Sequence, residues 1–182
     1  MGLIALKPQD VVILLKIVAL GNKEWMNNQL ANELGISPAE ISCSLARCKI
    51  AKLIDNTKKR VNILSFQDFM IHGLKYVYPP LPGAIVRGMP TAFSAEPIKS
   101  KISQGQDSYV WPSKDGNHRG QAIEPLYRTV PEACSKDKAL YELLVIADTL
   151  RMGRVRELEI AIEELKIRLD HYAQNSRKQM TI

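Results

Sequence analysis

The chain has 182 residues, of which 46% are apolar and 24% are charged. This composition excludes a disordered protein, because it supplies enough apolar surface to bury the core of one domain or of two small domains. The net charge is +6, and residues 1–66 hold nine Lys and Arg against five Asp and Glu. An anionic partner is therefore expected at this part of the chain, with nucleic acid as the first candidate; the alternative is that the charge serves only solubility.

The first predicted element is a buried helix. Pro8 suits a first helical position and Gly21 suits the residue after a helix end, so the helix is expected over residues 8–20. Its apolar run, VVILLKIVAL, is short for a membrane span, contains Lys16 and follows no basic leader. A buried helix therefore explains the run better than a signal peptide, and no membrane contact is expected.

Two further helices follow in the N-terminal third. Apolar residues spaced by three and four over residues 30–34 predict a second helix that ends at Gly35, where a left-handed residue reverses the chain. Ser37 and Glu40 then form a capping-box pattern with Pro38 in the first turn, which predicts the start of a third helix.

The next two segments lack a helical period. Residues 55–64, DNTKKRVNIL, combine a turn-forming pair with three cations and a β-favouring run, which predicts a small hairpin. From about residue 78 to residue 131 the chain is rich in proline and glycine among short apolar pieces such as GAIV and YVW. Irregular structure with short strands is expected there.

The C-terminal part is predicted to be helical. Ser135 can cap a region whose leucines follow the helical period, and Gly153 marks a break or bend. The segment after it carries one apolar stripe flanked by charge, with the spacings of a seam between helices. Such a stripe suits either a second copy of the chain or the N-terminal domain, and we favour a dimer. The stripe consists of Val155, Leu158, Ile162, Leu165 and Leu169.

The stretch LANELGISPAEISCSLARCKIAKLI has the features of a DNA-reading helix-turn-helix. Ala31 is small where two helices would nearly touch, Gly35 lies in the turn, and Ile41 and Leu45 suit the inner face of the second helix. With the basic hairpin, the order is helix, strand, helix, helix, hairpin. On these features, residues 8–66 resemble the DNA-binding domain of MarR-like bacterial winged-helix regulators.

Together with the patterns farther along the chain, the resemblance predicts a mainly α protein with a small β-wing, in three parts. Residues 1–77 would form a winged helix-turn-helix, residues 78–134 an irregular middle segment, and residues 135–182 a helical dimerisation region. The resemblance implies a sequence-specific transcriptional regulator, expected to be a repressor, that binds double-stranded DNA, and with the apolar stripe it would bind as a homodimer on an inverted repeat. The odd cysteine count predicts a cytoplasmic protein.

The expected DNA contacts lie on the outer side of the third helix and on the hairpin. The helix would enter the major groove, where Ser42 can bond to several bases and Arg47 can reach guanine or phosphate. The hairpin cations would contact phosphates or enter the minor groove. The expected contacts are Ser37, Pro38, Ala39, Ser42, Cys43, Ala46, Arg47 and Lys49 on the helix, and Lys58, Lys59 and Arg60 on the hairpin.

Other classes of function receive less support from the sequence. The three histidines are far apart and no Cys/His set completes a zinc site, so no enzyme, metal or cofactor is expected. An odd cysteine count favours a reducing compartment; Cys48 suits a buried position, whereas Cys43 could serve as a thiol sensor. The polar loop at residues 111–120 could bind an anion, although a solvated loop explains it better. The alternative function is an antitoxin-like or defence-system protein-binding module that could also repress its own promoter.

Overall fold

The computed structural model describes residues 4–102 and 108–178, with side chains through residue 175. The protein is mainly helical, with a small three-stranded sheet between its N-terminal and C-terminal helices. The helices are α1 (Pro8–Leu20), α2 (Asn27–Leu34), α3 (Pro38–Ile50), α4 (Ile63–Asp68), α5 (Leu74–Val77), α6 (Val130–Lys136), α7 (Lys138–Met152) and α8 (Val155–Lys178), and the strands are β1 (Ile85–Pro90), β2 (Tyr109–Pro112) and β3 (His118–Ala122).

Both bounds of α1, the end of α2 and the start of α3 lie where the sequence predicts. Pro8 opens α1, and Gly21 follows its last residue with a φ of 62°. Gly35 ends α2 in the left-handed conformation, which costs glycine little because it has no Cβ. Ser37 caps α3 by accepting the Glu40 N–H at 3.2 Å. The predicted capping box is only half formed, because the Glu40 carboxylate is used in ion pairs instead.

The predicted hairpin over residues 55–64 is shorter than expected. A single antiparallel bridge joins Ile54 to Val61, and α4 already begins at Ile63. The β-favouring run is helical because Phe66 and two later apolar residues at a spacing of four, Met70 and Leu74, are all buried along one face. A π-helical turn, Phe69–Gly73, connects α4 to α5.

The expectation of short strands in the middle segment is confirmed. β1 runs antiparallel to both β2 and β3, and β2 and β3 pair in parallel, so every strand pairs with the other two. Gly88 lies where β1 passes from one partner to the other. A Cβ there would lie 2.0 Å from the Trp111 carbonyl oxygen, so the crossing requires glycine.

Helix α7 lies at the centre of the molecule. Its residues 143–150 are all buried, and α1, α5, α6 and α8 pack around it. A buried polar network also joins it to the sheet segment. Asp148 accepts hydrogen bonds from the Trp111 indole at 2.6 Å and from the Thr91 hydroxyl at 2.7 Å, and it pairs with Arg151 at 2.7 Å.

The start of α7 differs from the prediction. Ser135 lies inside α6, where its hydroxyl donates to the Glu132 carbonyl. The cap is Asp137, whose carboxylate accepts the Leu140 N–H at 3.0 Å. The predicted break at Gly153 is confirmed, since α7 ends one residue before it.

The apolar stripe of α8 is largely covered by the same chain. Leu165 and Leu169 are completely buried in the core, and Leu158 and Ile162 pack against its edge. Leu165 and Leu169 are therefore covered within the chain, which favours the alternative of packing within the chain, and a dimer contact through them is not supported. Val155, at the start of the helix, is 74% exposed.

One buried apolar cluster includes residues from all three predicted segments. The division at residues 1–77, 78–134 and 135–182 stays a prediction, and residues 1–3, 103–107 and 179–182 of these ranges lie outside the described part. The shared cluster means that the N-terminal helices, the middle segment and α7 are stabilised by common apolar contacts.

Candidate nucleic-acid interface

Helices α2 and α3 form an angled pair around Gly35. The Ile36 N–H returns to the Ala31 carbonyl at 3.0 Å, which closes the turn. The inner face of α3 is buried at Ile41, Leu45 and Cys48. As the sequence predicts, this burial leaves the opposite face of α3 open to solvent.

The outer face of α3 carries most of the predicted DNA contacts. Ser42, Cys43 and Lys49 are exposed, and Ala46 is half-buried beside them. At the amino end of the helix, residues 37–39 are exposed as well. A 13-residue helix is about 20 Å long, so this face is long enough to lie along a major groove.

Arg47 lies on the protein side of α3, away from this face. Its guanidinium donates twice to Asp10 of α1, from Nε to Oδ2 at 2.9 Å and from Nη2 to Oδ1 at 2.7 Å. Nη2 also donates to Glu40 at 2.6 Å. The Arg47 side chain is 13% exposed, so a base contact would require two ion pairs to break. The assignment of Arg47 to the DNA contacts is corrected accordingly.

The charges around Arg47 stabilise one another. The hydrogen bonds that Arg47 donates to Asp10 raise the pKa of Arg47 further above its ordinary value, and the hydrogen bond that Arg47 donates to Glu40 lowers the pKa of Glu40. Asp10 is completely buried, and Arg47 is the cation that pairs with it. The cluster fixes α3 to α1, which gives Arg47 a structural role.

The segment after α3 is a tight turn, here called the cation turn, at residues 55–60. The Asp55 carboxylate organises it by accepting the Thr57 hydroxyl at 2.6 Å and the Lys59 N–H at 2.9 Å. Burial alone would raise the pKa of Asp55, but these bonds outweigh it and lower the pKa. Lys58, with a φ of 60°, and Arg60 are both half-buried.

Lys59 is held against Trp25, in the segment before α2. Its ammonium donates to the Trp25 carbonyl oxygen at 2.8 Å and lies 4.1 Å from the centre of the indole ring. Trp25 is itself 7% exposed. The Lys59 ammonium thus already has a hydrogen-bond acceptor and an aromatic partner within the protein.

Helix α8 contacts the chain at the end of the cation turn. The Val61 N–H donates to the Tyr172 hydroxyl oxygen at 3.2 Å, and both residues are buried. A cleft of about 560 Å³ is lined by the segment before α2, by the turn and by Tyr172. No pattern in the sequence points to Tyr172 or Asp10, because each contacts a residue that is distant in the chain.

The cysteines divide as predicted between surface and core. Cys43 is exposed on α3, whereas Cys48 and Cys134 are buried. Burial raises the pKa of the Cys48 thiol to about 12, so this thiol remains protonated at neutral pH. Among residues 4–102 and 108–178, no group of three or more His, Cys, Asp or Glu is arranged to hold a metal ion.

No protein-family model matches this chain, and searches of curated proteins and of solved structures found no match either. In the described part of the chain, no helix has the length and apolar character needed to cross a membrane.

Proposed function

We propose that the protein is a double-stranded-DNA-binding transcriptional regulator that uses the outer face of α3 and the cation turn. In this proposal residues 8–66 form a winged helix-turn-helix, with the Ile54–Val61 bridge as a short wing. The observation that carries the proposal is a capped helix whose inner face is buried and whose outer face is open, followed directly by a tight basic turn.

The charge distribution supports an anionic partner at this surface. Residues 1–66 contribute four of the six net positive charges. Lys49 and Lys52 are exposed at the carboxyl end of α3, and Lys58 lies in the turn that follows. Such cations contact phosphates and displace counterions, which gives an affinity that falls with salt. A homodimer on an inverted repeat remains a prediction, and it would need a surface other than Leu165 and Leu169.

The salt dependence of duplex binding tests the proposal. Replacing Lys49, Lys58 and Arg60 by alanine should weaken binding to every duplex and reduce the slope of log affinity against log salt by about one for each phosphate that is no longer neutralised. The matched control replaces Lys114, Arg119 and Arg128, which are exposed outside this surface and remove the same charge. Absence of wild-type binding at low salt, or equal slopes for both triple variants, would contradict the proposal.

Sequence preference is tested separately on the outer face of α3. Ser42→Ala should reduce discrimination between selected and random duplexes by about 1–3 kcal/mol, the usual effect of removing one hydrogen bond to a base. The control is Ser65→Ala, which removes an exposed hydroxyl from α4. Unchanged discrimination in Ser42→Ala would remove this residue from the base-reading set.

A protein-binding module is the second candidate, on a different observation. Four large apolar side chains are exposed within one short stretch around the end of α5, more than a solvated surface requires. They are Tyr76 at 74%, Val77 at 52%, Leu81 at 86% and Ile85 at 64% exposure. A photo-crosslinking residue placed at position 81 should capture one defined protein, whereas the same residue at position 114 should capture none. This result, together with absence of duplex binding, would favour a protein-binding module.

A further inference from the structure

The buried amide of Val61, the residue after the cation turn, is satisfied from outside the turn. Two backbone hydrogen bonds flank the Ile54–Val61 bridge. The Asp55 N–H donates to the Arg60 carbonyl at 2.8 Å, and the Asn62 N–H donates to the Leu53 carbonyl at 2.9 Å. In this pattern the bridged pair itself exchanges no hydrogen bond, so the Val61 N–H points away from Ile54. In the described part of the chain, no strand pairs with Val61 on that side.

A side chain of α8 takes the place of the missing strand. Tyr172 is 3% exposed and Val61 is 5% exposed, and the phenol oxygen accepts the Val61 N–H at 3.2 Å. A buried amide that loses its acceptor is destabilising, because its desolvation is no longer offset by a hydrogen bond. The turn, which contains few backbone bonds of its own, therefore depends on a residue 111 positions away in the chain.

Lys59 gives the turn a second support. Its ammonium donates to the Trp25 carbonyl oxygen, and Trp25, Lys59 and Tyr172 line the same cleft. Helix α8 is itself fixed, because Leu165 and Leu169 are completely buried in the core about two turns and one turn before Tyr172, respectively. The position of the turn relative to α3 is thus determined by core packing as well as by local sequence.

We propose that α8 positions the cation turn through Tyr172, and that duplex affinity consequently depends on a residue that does not touch DNA. Tyr172 is then a positioning residue: its hydroxyl holds the Val61 amide and, through it, the orientation of Lys58 and Arg60. The DNA consequence rests on the proposed function, whereas the positioning of the turn does not.

The decisive variant is Tyr172→Phe, which removes the acceptor and keeps the ring. Its matched control is Tyr141→Phe, because the Tyr141 hydroxyl also makes a hydrogen bond to the backbone, to the Pro90 carbonyl at 2.7 Å, far from the turn. Amide hydrogen exchange at Val61 should accelerate at least about tenfold in Tyr172→Phe and remain unchanged in the control. Unchanged exchange at Val61 would overturn the proposal, whatever the protein binds.

Duplex binding supplies the second readout. Tyr172→Phe should lower affinity roughly threefold to tenfold, within the range that one hydrogen bond allows. In a background that carries Lys58→Ala and Arg60→Ala, the same substitution should have no further effect, because the cations that it positions are gone. An equal decrease in both backgrounds would overturn the role in positioning these cations. If the wild type binds no duplex, the proposed function fails and the exchange experiment alone decides the positioning.

Discussion

Arg47 of α3 and Asp10 of α1 form an ion pair with two hydrogen bonds, and the Asp10 carboxylate has no access to solvent. The pair joins the helix that carries the candidate interface to the first helix of the core. A residue that the sequence suggests as a base reader therefore determines how firmly α3 is held to the core.

The first prediction concerns the cost of breaking this pair. Arg47→Met should lower the free energy of unfolding by about 3–5 kcal/mol, because it leaves the buried Asp10 charge without its cation. Lys49→Met, which alters an exposed cation on the same helix, should stay within about 0.5 kcal/mol of the wild type. Denaturant unfolding measures both. A stability decrease no larger for Arg47→Met than for Lys49→Met would show that the pair is not stabilising.

A second buried cation joins α2 to the start of α7. The Lys16 ammonium pairs with Asp137 at 2.7 Å and with Glu33, and its side chain is 5% exposed. Burial alone would lower the pKa of Lys16, but the bonds to these carboxylates outweigh it and raise the pKa. The bond from Lys16 lowers the pKa of Glu33. Burial would raise that of Asp137, but bonds from the Leu140 amide and Lys16 lower it.

These shifts predict how stability depends on pH. Lowered carboxyl pKa values add stability above the ordinary values of 4.5 and 3.8 that is lost as pH falls through the folded values. The raised pKa of Lys16 adds stability below 10.5 that is lost as pH rises through its folded value. Lys16→Met should therefore cost roughly 2–4 kcal/mol at neutral pH, less than a fully buried pair because Glu33 is partly exposed. Chemical unfolding between pH 3 and 7 measures it, and a constant difference from the wild type over that range would contradict the prediction.

The polar network around Asp148 gives the third prediction. Asp148→Asn should destabilise the protein by about 3 kcal/mol. The amide NH₂ of asparagine would face groups that themselves donate hydrogen bonds, and the buried Arg151 would lose its counter-charge. Asp170→Asn, on the exposed face of α8, is the control. Thermal unfolding followed by tryptophan fluorescence reports on both stability and the surroundings of Trp111. Similar midpoints for the two variants would mean that the network adds little.

The fourth prediction separates packing within the chain from dimerisation at α8. Leu169→Ala should cost about 2–5 kcal/mol as a buried truncation, whereas Ile167→Ala, 54% exposed on the same helix, should cost little. If the Leu165–Leu169 face is covered by the same chain, the unfolding midpoint should not change over roughly a hundredfold range of protein concentration. A midpoint that rises with concentration would instead indicate that a second copy stabilises the fold.

Local patterns in the sequence predicted local structure well. Pro8, Gly21, Gly35 and Ser37 act through bonds and dihedral angles within a few residues, so both bounds of α1, the end of α2 and the start of α3 follow from them. The predicted hairpin is longer than the observed one because residues 61–64 favour a strand locally. The apolar spacing that begins at Phe66 favours a helix, and that preference prevails because the helix can bury its face.

The candidate site was predictable only where exposure follows from helical phase. Ser42 and Cys43 are exposed because Ile41 and Leu45 are buried. Arg47 lies at the boundary between the two faces, and its direction is set by Asp10, 37 residues earlier. No spacing rule links those two residues, and the same holds for Tyr172 and Val61.

The closed pairing of β1, β2 and β3 limits what the middle segment can recognise. Each strand pairs with the other two, so within residues 85–102 and 108–122 no strand offers a peptide an edge that is open along its whole length. We therefore expect a partner that docks on this part of the molecule to be selected mainly by side chains such as Ile85, and its specificity to be sensitive to single substitutions.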